Sequence, residues 1–151
     1  MKKILSLGEH FLKGMIVLIF SFTLIYGVSF ADELSNYYYQ LSKMQKECSK
    51  NAREARNLAS KANDAYKSTK NHGFVRAEKK AYAAANDFDR AKTHFRDACF
   101  NMTSAFGSID REKIGRNLGT IESEVNRATR YYDEAISEYK SAVSYYNSSI
   151  K

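Results

Sequence analysis

Three seven-residue repeats in three different phases run through this chain, and they constrain its fold more than any other feature. The first runs Leu34, Leu41, Cys48, Ala55, Ala62, the second Phe74, Ala81, Phe88, Phe95, Met102, and the third Leu118, Val125, Tyr132, Tyr139, Tyr146. Each has a companion row three residues on or four residues back. A sustained apolar heptad directs a chain into long helices packed side by side. The sequence contains no proline, so nothing in it forbids such helices.

The phases divide the helices. Extended past its end, the first repeat falls on 72 and 76, whereas the second uses 74 and 77. Extended in turn, the second falls on 109 and 112, whereas the third uses 111 and 114. Each break carries a turn signal: Asn71-His72-Gly73, with Gly73 suited to a left-handed cap, and Gly107-Ser108-Ile109-Asp110. The spacing predicts helices over about 33–70, 74–106 and 109–150. Gly115 and Gly119 each cost about 1 kcal/mol inside a helix, which leaves the third helix starting near either 109 or 118. The fold class expected is all-α, an antiparallel three-helix bundle with coiled-coil-like packing in an up-down-up order.

Within the seams, alanine dominates. Ala77, Ala84, Ala91, Ala98 and Ala105 form an unbroken row in the second repeat. Small side chains let another helix come close. Asn51 is the clearly polar member of the first seam, a residue type that fixes register at some loss of stability.

Residues 1–31 read as a secretory signal peptide preceding a single domain at 32–151. Lys2, Lys3 and Lys13 are basic, Met15 to Val28 is mostly apolar, and Ser29-Phe30-Ala31 offers small residues where a signal peptidase reads. If uncleaved, the segment is an inner-membrane anchor with the domain outside, and this is the only membrane contact expected. The localisation expected is periplasmic or extracellular.

Without that segment the chain has 21 basic and 16 acidic side chains, a net charge of +5. Their interspersion argues against nucleic acid as a partner, since its footprint needs a one-sided basic stripe. Weak attraction to an anionic envelope surface is compatible with it.

Cys48 and Cys99 are the only cysteines. An isolated pair in an exported domain reads as one disulfide. A hairpin centred on Gly73-Phe74 would set the two opposite each other, and the bond Cys48–Cys99 is therefore expected.

Chemistry-bearing patterns do not emerge. His94, near Asp87 and Asp97, lacks the paired Glu-x-x-His motifs of di-metal bundles and reads as a solvated seam edge. No G-x-S-x-G, phosphate loop, H-E-x-x-H or C-x-x-C-H occurs. No catalytic residue, metal site or cofactor is expected. Glu122, Glu124, Asp133, Glu134 and Glu138 alternate with Arg127, Arg130 and Lys140 in the manner of an exposed helix.

Tyr132 to Val143 resembles the second helix of a tetratricopeptide repeat over 12 of 151 residues. Aligning Ala135, Tyr139 and Ala142 puts Ser123, Asn126 and Arg130 on that repeat's small, aromatic and turn-glycine positions. No 34-residue period recurs, so the likeness is what an Ala/Tyr heptad produces by itself. The architecture is similar to spectrin-type modules, without a shared sequence hallmark.

Ten tyrosines follow the signal, more than the seams need. Tyr39, Tyr82 and Phe100 fall on outer faces, and Tyr38, Tyr39 and Phe100 form a candidate partner-contact patch, because aromatics are enriched in contact surfaces. The function expected is a small exported helical binding or structural module of the envelope or secreted fraction, non-catalytic, acting on an unknown protein partner. One alternative is a small-molecule or cofactor carrier with a pocket between helices lined by Tyr132, Tyr139, Phe88 and Phe95. Another is a homo-oligomeric structural protein.

Overall fold

The computed structural model describes the backbone of residues 30–106 and 111–150, and the side chains of 35–104 and 116–150. Three helices make up this part: α1 at Phe30–Thr69, α2 at His72–Phe106 and α3 at Arg111–Ile150. No strand occurs among the described residues. Of the expected signal peptide at 1–31, residues 1–29 lie outside them, as does the expected turn at 107–110, while Phe30 and Ala31 open α1. No described helix is long and apolar enough to cross a membrane.

The chain divides between Gln40 and Leu41 into two compact units. The described part of the first is the opening of α1, where Tyr37 is buried and Tyr38 and Tyr39 are exposed. The second holds the rest of α1 with α2 and α3, and it is the bundle.

Within the bundle, cross-helix neighbours fix the topology. Ser42 and Gln45 meet Cys99, Arg56 meets Asp89, and Ala59 shares a cluster with Ala81, so α1 and α2 run antiparallel. His94 meets Glu124, Phe88 meets Tyr132, Lys80 meets Glu138 and Phe74 meets Tyr146, so α2 and α3 do as well. These last four pairs are symmetric about positions 109–110. The order is up-down-up.

The core follows the alanine rows. Ala77, Ala84, Ala91 and Ala98 of α2 are fully buried, as are Ala55, Ala62, Ala128, Ala135 and Ala142. Ala52 and Ala59, on the flank of the first seam, are equally buried, whereas Asn51 and Leu58 are only half-buried. The α1 stripe is thus rotated toward its flank, and its alanines cluster with residues of both α2 and α3, Ala52 and Ala55 with Ala84 and Ala135, Ala59 with Ala81 and Ala142. Phe88, Phe95, Leu41, Met102 and Val125 are the largest side chains shut away from water. Each contributes roughly 1.5–3 kcal/mol by burial, so the large apolar groups supply most of the drive and the alanines set the close spacing.

The first turn differs from expectation. The left-handed residue is Lys70, with φ 58°, and no glycine of the described residues has positive φ. Lys70 N–H donates to the Tyr66 carbonyl at 2.8 Å, the single bond of a left-handed helix end. Asn71 then caps α2, its Oδ1 accepting from Gly73 N–H at 2.9 Å. Its Nδ2 donates to the Ser149 carbonyl at 3.2 Å, so the same side chain also caps the end of α3. Gly73 lies inside the first turn of α2, where a Cβ would stand 1.9 Å from Ser149 Oγ. Its role is close approach, not left-handedness.

That turn decides the cysteines. The expected Cys48–Cys99 disulfide is not formed; both are free, buried thiols. The hairpin is centred between Lys70 and Asn71, three residues before the centre assumed from Gly73-Phe74. A three-residue shift of centre moves the facing register by six residues. Cys99 therefore faces position 42, and its Sγ lies 3.2 Å from Gln45 Nε2 and 4.0 Å from Ser42 Oγ. Six residues are about 9 Å along a helix, beyond the roughly 7 Å that a disulfide tolerates between Cα atoms.

The third helix is continuous from Arg111 through Gly115 and Gly119, and does not wait until 118. A Cβ at Gly119 would meet nothing within 4 Å, so this glycine makes no close helix contact.

Candidate functional site

Three groups of side chains stand out once the bundle is assembled. The first is the exposed aromatic set. Tyr38 and Tyr39 are 43% and 65% exposed in the first unit, and Phe100 is 71% exposed in the second. Tyr82 and Tyr145 are also exposed. Phe100 projects outward because its neighbours Ala98 and Cys99 take the inward positions of α2.

The second group surrounds Tyr131. Its ring stacks on the His94 imidazole, centroids 5.5 Å apart and planes 2° from parallel. The guanidinium groups of Arg90 and Arg130 lie 5.5 Å and 5.1 Å from the same ring. Such contacts contribute about 0.5–1 kcal/mol each at exposed sites. His94 Nδ1 is 2.6 Å from Glu124 Oε2, and Glu124 also receives Arg127 at 3.6 Å. Arg90 pairs with Asp87 at 3.2 Å. Burial pushes the Asp87 carboxyl above its ordinary range, against the pull of Arg90.

His94 is therefore a paired, partly buried group and not a solvated edge. Its partner lies thirty residues away, so only the α2–α3 register could have exposed it. A histidine held by a carboxylate is part of a catalytic triad, but among the described residues no hydroxyl or thiol hydrogen-bonds to the other ring nitrogen. The cluster holds two helices together by charge and stacking. No group of three or more His, Cys, Asp or Glu side chains able to hold a metal occurs among the described residues.

The third group lies between helices. Tyr132 hydroxyl donates to Glu47 Oε1 at 2.8 Å and accepts from Asn51 Nδ2 at 3.5 Å. Its ring meets Phe88 edge-on at 5.6 Å. Burial, then the hydrogen bond to Glu47, hold the phenol well above its ordinary range. Asn51 was legible as a polar seam residue; Glu47 was not, because its position lies off the seam. Tyr132 and Tyr139 pack against a cluster of Ala52, Ala55, Ala84, Ala85, Phe88 and Ala135, while Phe95 is almost fully buried. These four aromatic rings fill space between helices. A shallow open groove lies instead on the outside of α3, its described lining polar: Glu122, Ser123, Asn126, Arg127 and Arg130 beside Gly119.

Cross-helix ion pairs complete the surface. Lys80 Nζ contacts both Glu138 oxygens, at 3.0 Å and 2.8 Å, and this hydrogen bond raises the lysine above its ordinary range. Arg56 pairs with Asp89 between α1 and α2.

Comparison of the chain with protein-family models, with curated proteins and with solved structures gives no match.

Proposed function

We propose that this chain is a small exported helical module that works by binding, without a catalytic centre. In this reading residues 1–31 direct it across the inner membrane, and the helical part operates in the envelope or secreted fraction. The observation that supports it best is the exposure of large aromatic side chains, above all Phe100, on a bundle whose apolar interior is otherwise closed. An exposed Phe beside a fully packed core gains nothing for the monomer's stability, whereas a partner that covers it gains its buried area.

The test is a photo-crosslinking residue placed at 100, and separately at 39, in the native host, followed by mass spectrometry. A discrete protein adduct lost on competition with unmodified protein is the expected result. Hydrolase or oxidoreductase activity in the purified protein, dependent on His94 or Glu124, would overturn it.

A further inference from the structure

The outward face of α1 carries a one-sided line of positive charge that the interspersed sequence conceals. Lys43, Lys46, Lys50, Arg53 and Lys61 are all exposed. Their spacing of three, four, three and eight residues puts them on one helix face. The line spans 18 residues, about 27 Å of helix. Between 41 and 69 there are seven basic and three acidic residues, whereas between 116 and 150 of α3 there are four and five.

Between 41 and 69 the three acidic residues offset the line only in part, leaving an excess of four positive charges. Glu47 is half-buried and accepts from the Tyr132 hydroxyl on α3, and Asp64 meets Lys67 at 3.5 Å. Glu54, exposed on the same face, pairs with Lys50 at 3.9 Å. Among the described residues Lys43, Lys46, Arg53 and Lys61 make no ion pair.

We propose that this face docks the protein on an anionic lipid surface. The inference rests on the reading of the chain as an exported binding module, and names the partner class of one face. Charge complementarity argues for the occupant. Four of the five side chains are lysines, compact hydrated charges that suit a diffuse layer of headgroups better than bidentate recognition of one group. The exposed residues between 43 and 61 are all polar, so the contact is peripheral, without insertion into the acyl layer. Export places lipid headgroups within reach and nucleic acid out of it. Juxtaposed lysines attract anionic leaflets individually and weakly, and the attraction is screened within a Debye length.

The experiment uses protein purified from the exported fraction of its host, sedimented with vesicles of phosphatidylglycerol in phosphatidylcholine or of phosphatidylcholine alone. Binding to the anionic vesicles only is expected, and loss in high salt. The triple variant Lys43→Gln, Lys46→Gln, Lys50→Gln should weaken it at least roughly tenfold. A control of equal charge change on α2, Arg76→Gln, Lys79→Gln, Lys92→Gln, should weaken it far less. No binding to anionic vesicles, equal loss in the two triples, or binding to a DNA duplex but not to vesicles would each overturn the inference. A protein that ignores vesicles yet still crosslinks through position 100 defeats this inference alone and leaves the binding-module reading intact.

Discussion

The Tyr132 hydroxyl donates to Glu47 Oε1 at 2.8 Å, tying the middle of α3 to α1 where the surrounding contacts are mostly alanine. Alanine faces slide past one another with little change in burial, so they specify register weakly. A directional bond between two helices, with Asn51 as a second partner of the same hydroxyl, specifies it well. Tyr132→Phe is expected to destabilise the protein by about 1.5–3 kcal/mol, the net value of a bond to a charged acceptor. In a double-mutant cycle by urea denaturation, Tyr132→Phe and Glu47→Ala should couple by a similar amount; a coupling of zero would show the bond to be incidental.

Gly119 offers the opposite sign. It sits in the interior of α3, without positive φ, and an added Cβ meets nothing within 4 Å. Gly119→Ala should stabilise the protein by about 0.5–1 kcal/mol through helix propensity and reduced freedom of the unfolded chain. The check is the shift in denaturation midpoint; unchanged or lower stability would mean that the helix needs this glycine.

Cys48 and Cys99 should behave as two buried thiols. Denatured without reductant, the protein should take up two alkylating groups, and its intact mass should equal that of the reduced chain. In the native state both should react slowly, since burial pushes the Cys48 thiol up to about 12 and raises Cys99 as well. A mass two units lower would restore the bond and require a different first turn.

How far the fold was legible in the sequence is clearest at that turn. The phase break between the first and second heptads located it to within a few residues, and the alanine row of α2 proved buried throughout its described length. What misled was the chemistry of glycine. Gly73 is the natural candidate for a left-handed helix end, yet Lys70 adopts that conformation and Gly73 serves to let Ser149 pass. Three residues of error in the centre became six in the facing register, enough to separate two cysteines that symmetry had brought together. The same ignorance of register hid the partners of His94 and Lys80, because Glu124 and Glu138 look like ordinary members of an exposed charge pattern. Exposure was easier to read: Tyr39, Tyr82 and Phe100 are all exposed, since outward position follows from helical period alone.

Alkaline pH should unfold the protein, with a sign set by its buried acids. The Cys48 thiol is moved from its ordinary 9.0 to about 12 by burial first and then by the Glu47 carboxylate. Between those values the unfolded chain has lost a proton that the folded chain retains, so stability falls as pH rises, by up to about 1.4 kcal/mol per pH unit. Tyr132 is shifted in the same direction and adds to the loss above its ordinary 10.0. Lys80, raised by Glu138, loses its contribution as pH climbs through its folded value. Urea midpoints measured from pH 8 to 11 should decline, and Cys48→Ala should flatten the first part of that decline. Parallel curves for the two proteins would remove Cys48 as the cause.

Asn71 links the two ends of the bundle that meet at the first turn. Its Oδ1 accepts from Gly73 N–H and its Nδ2 donates to the Ser149 carbonyl, serving the start of α2 and the end of α3 with one side chain. Asn71→Ala removes both bonds and should destabilise by about 1–2 kcal/mol, the upper half of the range for a lost N-cap. Asn71→Asp separates the two contributions. The carboxylate still accepts from Gly73 and gains from the positive end of α2, but it cannot donate to Ser149 and faces the negative end of α3. If the cap on α2 dominates, Asp should recover most of the stability lost in Ala. If the tie to α3 dominates, Asp should fall at or below Ala, and amide exchange in the last turn of α3 should rise in both variants.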